Sequence, residues 1–150
     1  MNIYIAARNS KLEECRRLAR LLEMRGHVIC TTWIKKDKHN LSDEEITRNP
    51  IEAKVVLNEY ASTDLLDIGL VDLVIFFGEE PRTKTRNGRM IEFGYALSRR
   101  TPIWIVGPKE NAFMYLVDYG IEVFKDLNEF IDRLATTRNY PLFTRDGKEI

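Results

Sequence analysis

"VDLVIFF", residues 71–77, is the stretch on which the fold turns. Apart from Asp72 it is a continuous apolar run of strand length, with no alternation of polar and apolar positions. Such a run fits a strand covered on both faces, as in a parallel sheet flanked by helices. The segments around it agree. Residues 2–7 ("NIYIAA") read as a buried strand ending at polar turn residues, and 27–33 ("HVICTTW") as a second. Downstream, 102–107 ("PIWIVG") and 121–124 ("IEVF") read as a fourth and a fifth.

Helical patterns fill the gaps. Ser10 and Glu13 have the spacing of a capping box, and Leu12, Cys15, Leu18, Ala19 and Leu22 keep helical spacing until Gly26 supplies a stop. Residues 34–45 are polar and loop-like. Asn49-Pro50 opens a longer helix, Pro50 being suited to a first turn, with Ala53, Val56, Leu57 and Tyr60 as its buried stripe. Residues 87–98 ("NGRMIEFGYALS") predict a helix after the central strand, its inner face Met90, Phe93, Gly94 and Leu97, and 127–135 a last helix. Strands separated by helices imply right-handed crossovers. The expected architecture is an α/β three-layer sandwich around a doubly wound, mostly parallel five-stranded sheet of flavodoxin- or Rossmann-like type. One domain spans 1–135; residues 136–150, with Tyr140 and Phe143, form a tail expected to pack on it or on a neighbouring subunit.

Composition narrows the partners. The 150 residues are 44% hydrophobic and 31% charged, and Lys+Arg and Asp+Glu are both 23. A net charge of zero gives no electrostatic reason to expect a nucleic-acid polymer or a membrane surface as partner. No apolar run has membrane-spanning length. Cys15 and Cys30 form no CxxC pair, and His27 and His39 have no ligand-spaced partners, so no metal site is expected and the default compartment is the cytoplasm.

In a doubly wound sheet, ligands bind beyond the carboxyl ends of the strands at the switch in strand order. That rule selects residues 6–9, 77–89 and 107–111, and with them Ala7, Arg8, Gly78, Asn87, Gly88 and Arg89 as candidate substrate-binding positions. The turn after the first strand, "AARNSK", is not GxGxxG; no GxxxxGK[ST] loop and no GxSxG elbow occur. Dinucleotide, phosphate-loop and serine-hydrolase readings therefore lack their signatures. Carboxylates remain. Glu92 is the only acid between Glu80 and Glu110 and sits in an apolar run one turn into its helix. It reads either as a nucleophile whose ionised form the helix N-terminus favours, or as a dipole-matched Glu paired with Arg89. Asp64 continues a buried stripe, where an unpaired carboxylate is costly. It reads either as a site residue or as the N-cap of a new helix from Leu65. Two carboxylates flanking one central strand suit glycosidic chemistry, in which one attacks the sugar carbon while another group manages the leaving group's proton.

"NGRMIEFGYALS", with "IYIAAR" near the start and "STDLLDIGLVDLVIFFG" before it, resembles the nucleoside 2-deoxyribosyltransferase family over roughly residues 2–135. "EFGYALS" is the most specific part. The resemblance implies that Glu92 is the nucleophile, that Asp64 contacts the base and that Tyr4 is the active-site tyrosine of the first strand. It implies too that Asn111 and Met114 of "ENAFMY" are delivered to a neighbouring subunit's site, hence a homo-oligomer, a dimer or higher. The implied reaction is a two-step transfer of deoxyribose through an ester on Glu92 to a second base or to water, on a small nucleoside or nucleotide, with no cofactor. One departure stands out. The loop before Glu92 reads "PRTKTRNGR", with cations and hydroxyls but no acid. Together with Arg8 it suits a phosphate oxyanion, as in the related 2′-deoxynucleoside 5′-monophosphate N-glycosidases, or it is a solvated turn. A non-catalytic nucleotide-binding domain and an enzyme acting on ribonucleotides are the other readings.

Overall fold

A computed structural model describes residues 1–81 and 87–136. The chain runs β1 (Asn2–Ala6), α1 (Leu12–Met24), β2 (Val28–Ile29), α2 (Asp43–Arg48), α3 (Pro50–Gly69), β3 (Leu73–Phe77), α4 (Gly88–Ser98), β4 (Ile103–Val106), β5 (Ile121–Phe124) and α5 (Leu127–Thr136). The five strands are all parallel in the order β2-β1-β3-β4-β5. β3, apolar throughout, is buried at every position in the middle of the sheet. The strand order reverses between β1 and β3, and in sheets of this kind ligands bind beyond the carboxyl ends of the strands at such a reversal.

Because side chains alternate along a strand, the register of Tyr4 with Val74 and of Ala6 with Phe76 defines one face of the sheet. α4 covers that face, the Phe93 ring packing edge-on against Phe76 at 5.3 Å. Ile3, Leu73, Ile75 and Trp104 occupy the other face, where they meet Leu22 of α1 and Phe130 and Leu134 of α5 around a 30 Å³ apolar cavity. That cavity lies across the sheet from Glu92.

Several expectations are corrected. The second strand covers two residues rather than 27–33, because side chains take over its hydrogen bonding. Thr31 Oγ1 accepts from the Ile5 N–H and Trp33 Nε1 donates to the Ile5 carbonyl, both at 2.8 Å. Ser10 does not cap α1: a 3₁₀ turn over Asn9–Lys11 precedes it, and Glu13 instead pairs with Arg16. The polar segment 34–45 is not all loop. Ser42 and Glu45 form a reciprocal capping box that starts α2. Of the α3 stripe only Ala53 is buried, with Ile68 further on. Twenty helical residues span about 30 Å, against about 17 Å for a five-residue strand, so much of α3 has no sheet to cover. On α4 the buried residues are Arg89, Phe93 and Ala96, while Gly94 faces open space. The tail expected at 136–150, including Tyr140 and Phe143, lies outside the described residues save for the last position of α5.

Candidate active site

α3 enters β3 and α4 leaves it, and both cover the face that carries Tyr4. Asp64 lies five residues before the end of α3 and Glu92 six before the end of α4. The two carboxylates are thereby brought to similar depth, with Tyr4 of β1 between them. Burial pushes the Glu92 carboxyl up to about 8, with the Asp64 charge adding to the effect and Tyr4 and Arg89 opposing it. Asp64 is raised as well, by burial first, against the pull of His39. Tyr4 is driven well above the usual phenol range by its burial and then by Glu92 and Asp64. Its hydroxyl is fully buried and has no hydrogen-bond partner of ordinary geometry, yet it acts electrostatically on both acids. A polar group buried without a partner carries a desolvation penalty, and a substrate hydroxyl or carboxylate oxygen entering here would relieve it.

Neither alternative for the two acids survives. Asp64 cannot cap a helix at Leu65, since α3 runs unbroken from Pro50 to Gly69 and is capped by Asn49, whose Oδ1 accepts from the Glu52 N–H at 3.3 Å. Glu92 is not paired with Arg89, whose two terminal nitrogens donate to the two oxygens of Glu110 at 2.5 and 2.6 Å. Glu92 also lies beyond the first turn of α4, which holds no acidic residue, and burial favours its protonated form.

His39 is the residue that sequence spacing missed. Its Nε2 is hydrogen-bonded to Asp64 Oδ1 at 3.0 Å, the two side chains being only 6% and 17% exposed. The ring lies against Tyr60 with centroids 4.5 Å apart, and its Nδ1 is buried without a partner. Tyr60 stands one helical turn before Asp64 on α3, so an aromatic shelf next to the acid was visible in sequence. The histidine that rests on it comes from a polar segment 25 residues away.

The other candidates divide. Ala7 and Arg8 are half-buried at the end of β1. Gly78 is structural: a Cβ there would sit 2.0 Å from the Pro108 carbonyl oxygen, where the ends of β3 and β4 nearly touch. Asn87 is exposed in the left-handed region (φ 59°) and turns the chain into α4, with Gly88 beside it in open space. Asn111 faces its own chain, accepting from the Phe113 N–H at 3.0 Å and donating to Met90 Sδ at 3.6 Å. Met114 is fully buried and its Sδ accepts from the Glu110 N–H at 3.1 Å. Both side chains are thus engaged within their own chain. Arg82, Lys84 and Arg86 of the basic run lie outside the described residues. Among the described residues no group of three or more His, Cys, Asp or Glu side chains is placed to hold a metal, and no helix is long and apolar enough to cross a membrane.

No described protein family and no characterised protein matches the sequence. Among solved structures, the Clostridium botulinum CMP N-glycosidase BcmB superposes with a TM-score of 0.52 at 18% identity, over 90% of this chain and 98% of that one. The two chains share a fold.

Proposed function

We propose that the protein cleaves the N-glycosidic bond of a 2′-deoxyribonucleoside or its 5′-monophosphate, with Glu92 as nucleophile. The observation that carries this reading is the sharing of one buried face by Glu92, Asp64 and Tyr4, with His39 backing Asp64. Ionised Glu92 attacks C1′ as the bond to the base breaks, and the electron pair leaves with the base. Asp64, whose burial favours its protonated form, gives the base a proton and recovers one through His39. Tyr4 orients the Glu92 carboxylate. Water then attacks C1′ of the deoxyribosyl ester, giving up the proton that Asp64 recovers, and the ester bond breaks to release Glu92 as a carboxylate; a second base in place of water makes the reaction a transfer. All four residues belong to the chain itself, and the reaction balances with water alone.

The 5′-monophosphate is the second substrate form to weigh. It is favoured by Arg8, whose guanidinium has no partner among the described residues, and by the fold shared with an enzyme described as a CMP N-glycosidase. Self-association belongs to the proposal too. Ile51, Val55 and Leu66 of α3, Leu70 just after it, Ile91 of α4, and Phe113, Tyr115 and Val117 are large exposed apolar side chains, which a neighbouring subunit would cover.

One panel tests the reading: deoxynucleosides, ribonucleosides and their 5′-monophosphates, each with and without added free base, with products resolved by chromatography. Base release by the wild type, its loss in Glu92→Gln, and a deoxyribosyl mass adduct on Glu92 with slow substrates are expected. Equal base release by both proteins would remove Glu92 from the mechanism.

A further inference from the structure

Arg89 lies three residues before Glu92 on α4, the spacing at which a cation and a carboxylate on one helix ordinarily pair. Here they do not. The Arg89 guanidinium is turned inward beneath the start of α4, over the Phe76 ring at 5.3 Å, with Nη1 also 3.4 Å from the Phe77 carbonyl oxygen. Both terminal nitrogens are held by Glu110, 21 residues on and just past β4, and the Arg89 side chain is only 5% exposed. A two-toothed Arg–carboxylate contact is the most directional ion pair available to proteins. An Arg left without its carboxylate in so buried a place is strongly disfavoured, and the nearest other anion on its own helix is Glu92.

We propose that Glu110 is a positioning residue: by gripping Arg89 it keeps that cation off Glu92, leaving the nucleophile's carboxylate free to face the sugar. The inference rests on the glycosidase reading for its catalytic consequence, but not for its physical one. The groups that face Glu92 are Asp64 from α3, Tyr4 from β1 and Arg89 from α4, with His39 behind Asp64. Asp64 and Tyr4 cannot neutralise it, so among the described residues Arg89 is the group facing it that can. Removing Glu110 frees Arg89 to swing onto Glu92. A salt bridge there would hold the ionised carboxylate in place, lower its proton affinity and block its approach to C1′.

The test compares wild type, Glu110→Ala, the milder Glu110→Gln, and Arg89→Met/Glu110→Ala. Glu92 is titrated directly by carboxyl-carbon NMR without substrate, and base release is measured against pH. An opposite charge at contact lowers a carboxyl pKa by about 1–3 pH units. Glu110→Ala should therefore move the Glu92 midpoint down by at least about one unit, Glu110→Gln by less in the same direction, and the double variant should return it to the wild-type value or above. The acidic limb of the rate profile should follow the midpoint while the plateau rate falls tenfold or more. A Glu92 midpoint unchanged in both single variants, or one that falls equally in the double variant, overturns the proposal. Because the titration needs no turnover, it separates failure of this idea from failure of the glycosidase reading, in which no variant releases base. If Glu110→Ala does not fold, Glu110→Gln against its double with Arg89→Met decides the matter alone.

Discussion

Replacing Glu92 with Gln should make the protein more stable, and increasingly so as pH rises. An ordinary Glu carboxyl titrates at 4.5, and burial on α4 carries Glu92 to about 8. At ~1.4 kcal/mol per pH unit, holding Glu92 ionised in the folded protein costs on the order of 4–5 kcal/mol relative to the unfolded chain, a large part of a domain's whole stability. The sign follows from proton counting. Between 4.5 and about 8 the unfolded chain has lost the proton that the folded protein keeps, so folded stability declines as pH rises through this window and levels off above it. Gln has nothing to ionise, so the variant lacks this decline. Urea unfolding of both proteins at pH 5, 6.5, 8 and 9 isolates the effect in their difference, since the remaining ionisable groups are common to both. The difference should be small at pH 5 and reach several kcal/mol in favour of Gln at pH 9. A difference constant within ~0.5 kcal/mol across the range would refute the claim that Glu92 is desolvated, whatever the protein's substrate. Such a gain on removing a proposed nucleophile is the usual trade between stability and activity. With roughly a tenth of Glu92 ionised at pH 7, since one unit is tenfold, base release should also rise with pH toward 8.

Two further substitutions probe the supports of the site. His39→Ala leaves Asp64 Oδ1 buried without its partner, which should cost about 1–3 kcal/mol in urea unfolding; it should also raise the Asp64 titration further and slow base release, most for bases that leave poorly. Unchanged stability and rate would remove His39 from the support of Asp64. Gly78→Ala drives a Cβ to 2.0 Å from the Pro108 carbonyl oxygen, a backbone atom that cannot swing aside as a flexible side chain could. It should lower stability by at least about 1–3 kcal/mol, whereas Gly88→Ala, with nothing within 4 Å, should be nearly neutral; equal melting temperatures for the two would contradict the close approach of β3 and β4.

The sequence by itself determined the layering. "VDLVIFF" has the composition of a strand with no exposed face, and the alternation of strand-like and helical runs leaves few topologies besides a doubly wound parallel sheet. It also marked Glu92 and Asp64, because a carboxylate in an apolar helical stripe is an anomaly that local pattern alone can expose. α2 is the converse case: the polar segment 34–45 reads as loop although Ser42 and Glu45 have capping-box spacing, because so short a helix forms only with tertiary support. What only the tertiary structure decided are the partners. Thr31 and Trp33 completing the edge of β1, His39 on Asp64, and Glu110 on Arg89 are contacts across 21 to 28 residues of chain. They depend on where the crossovers set each loop down, and no helical or strand period carries that information. The state of Glu92 belongs to the same class. A place one turn into its helix argued for an ionised carboxylate, but the desolvation that reverses this arises only once α4 has packed on the sheet.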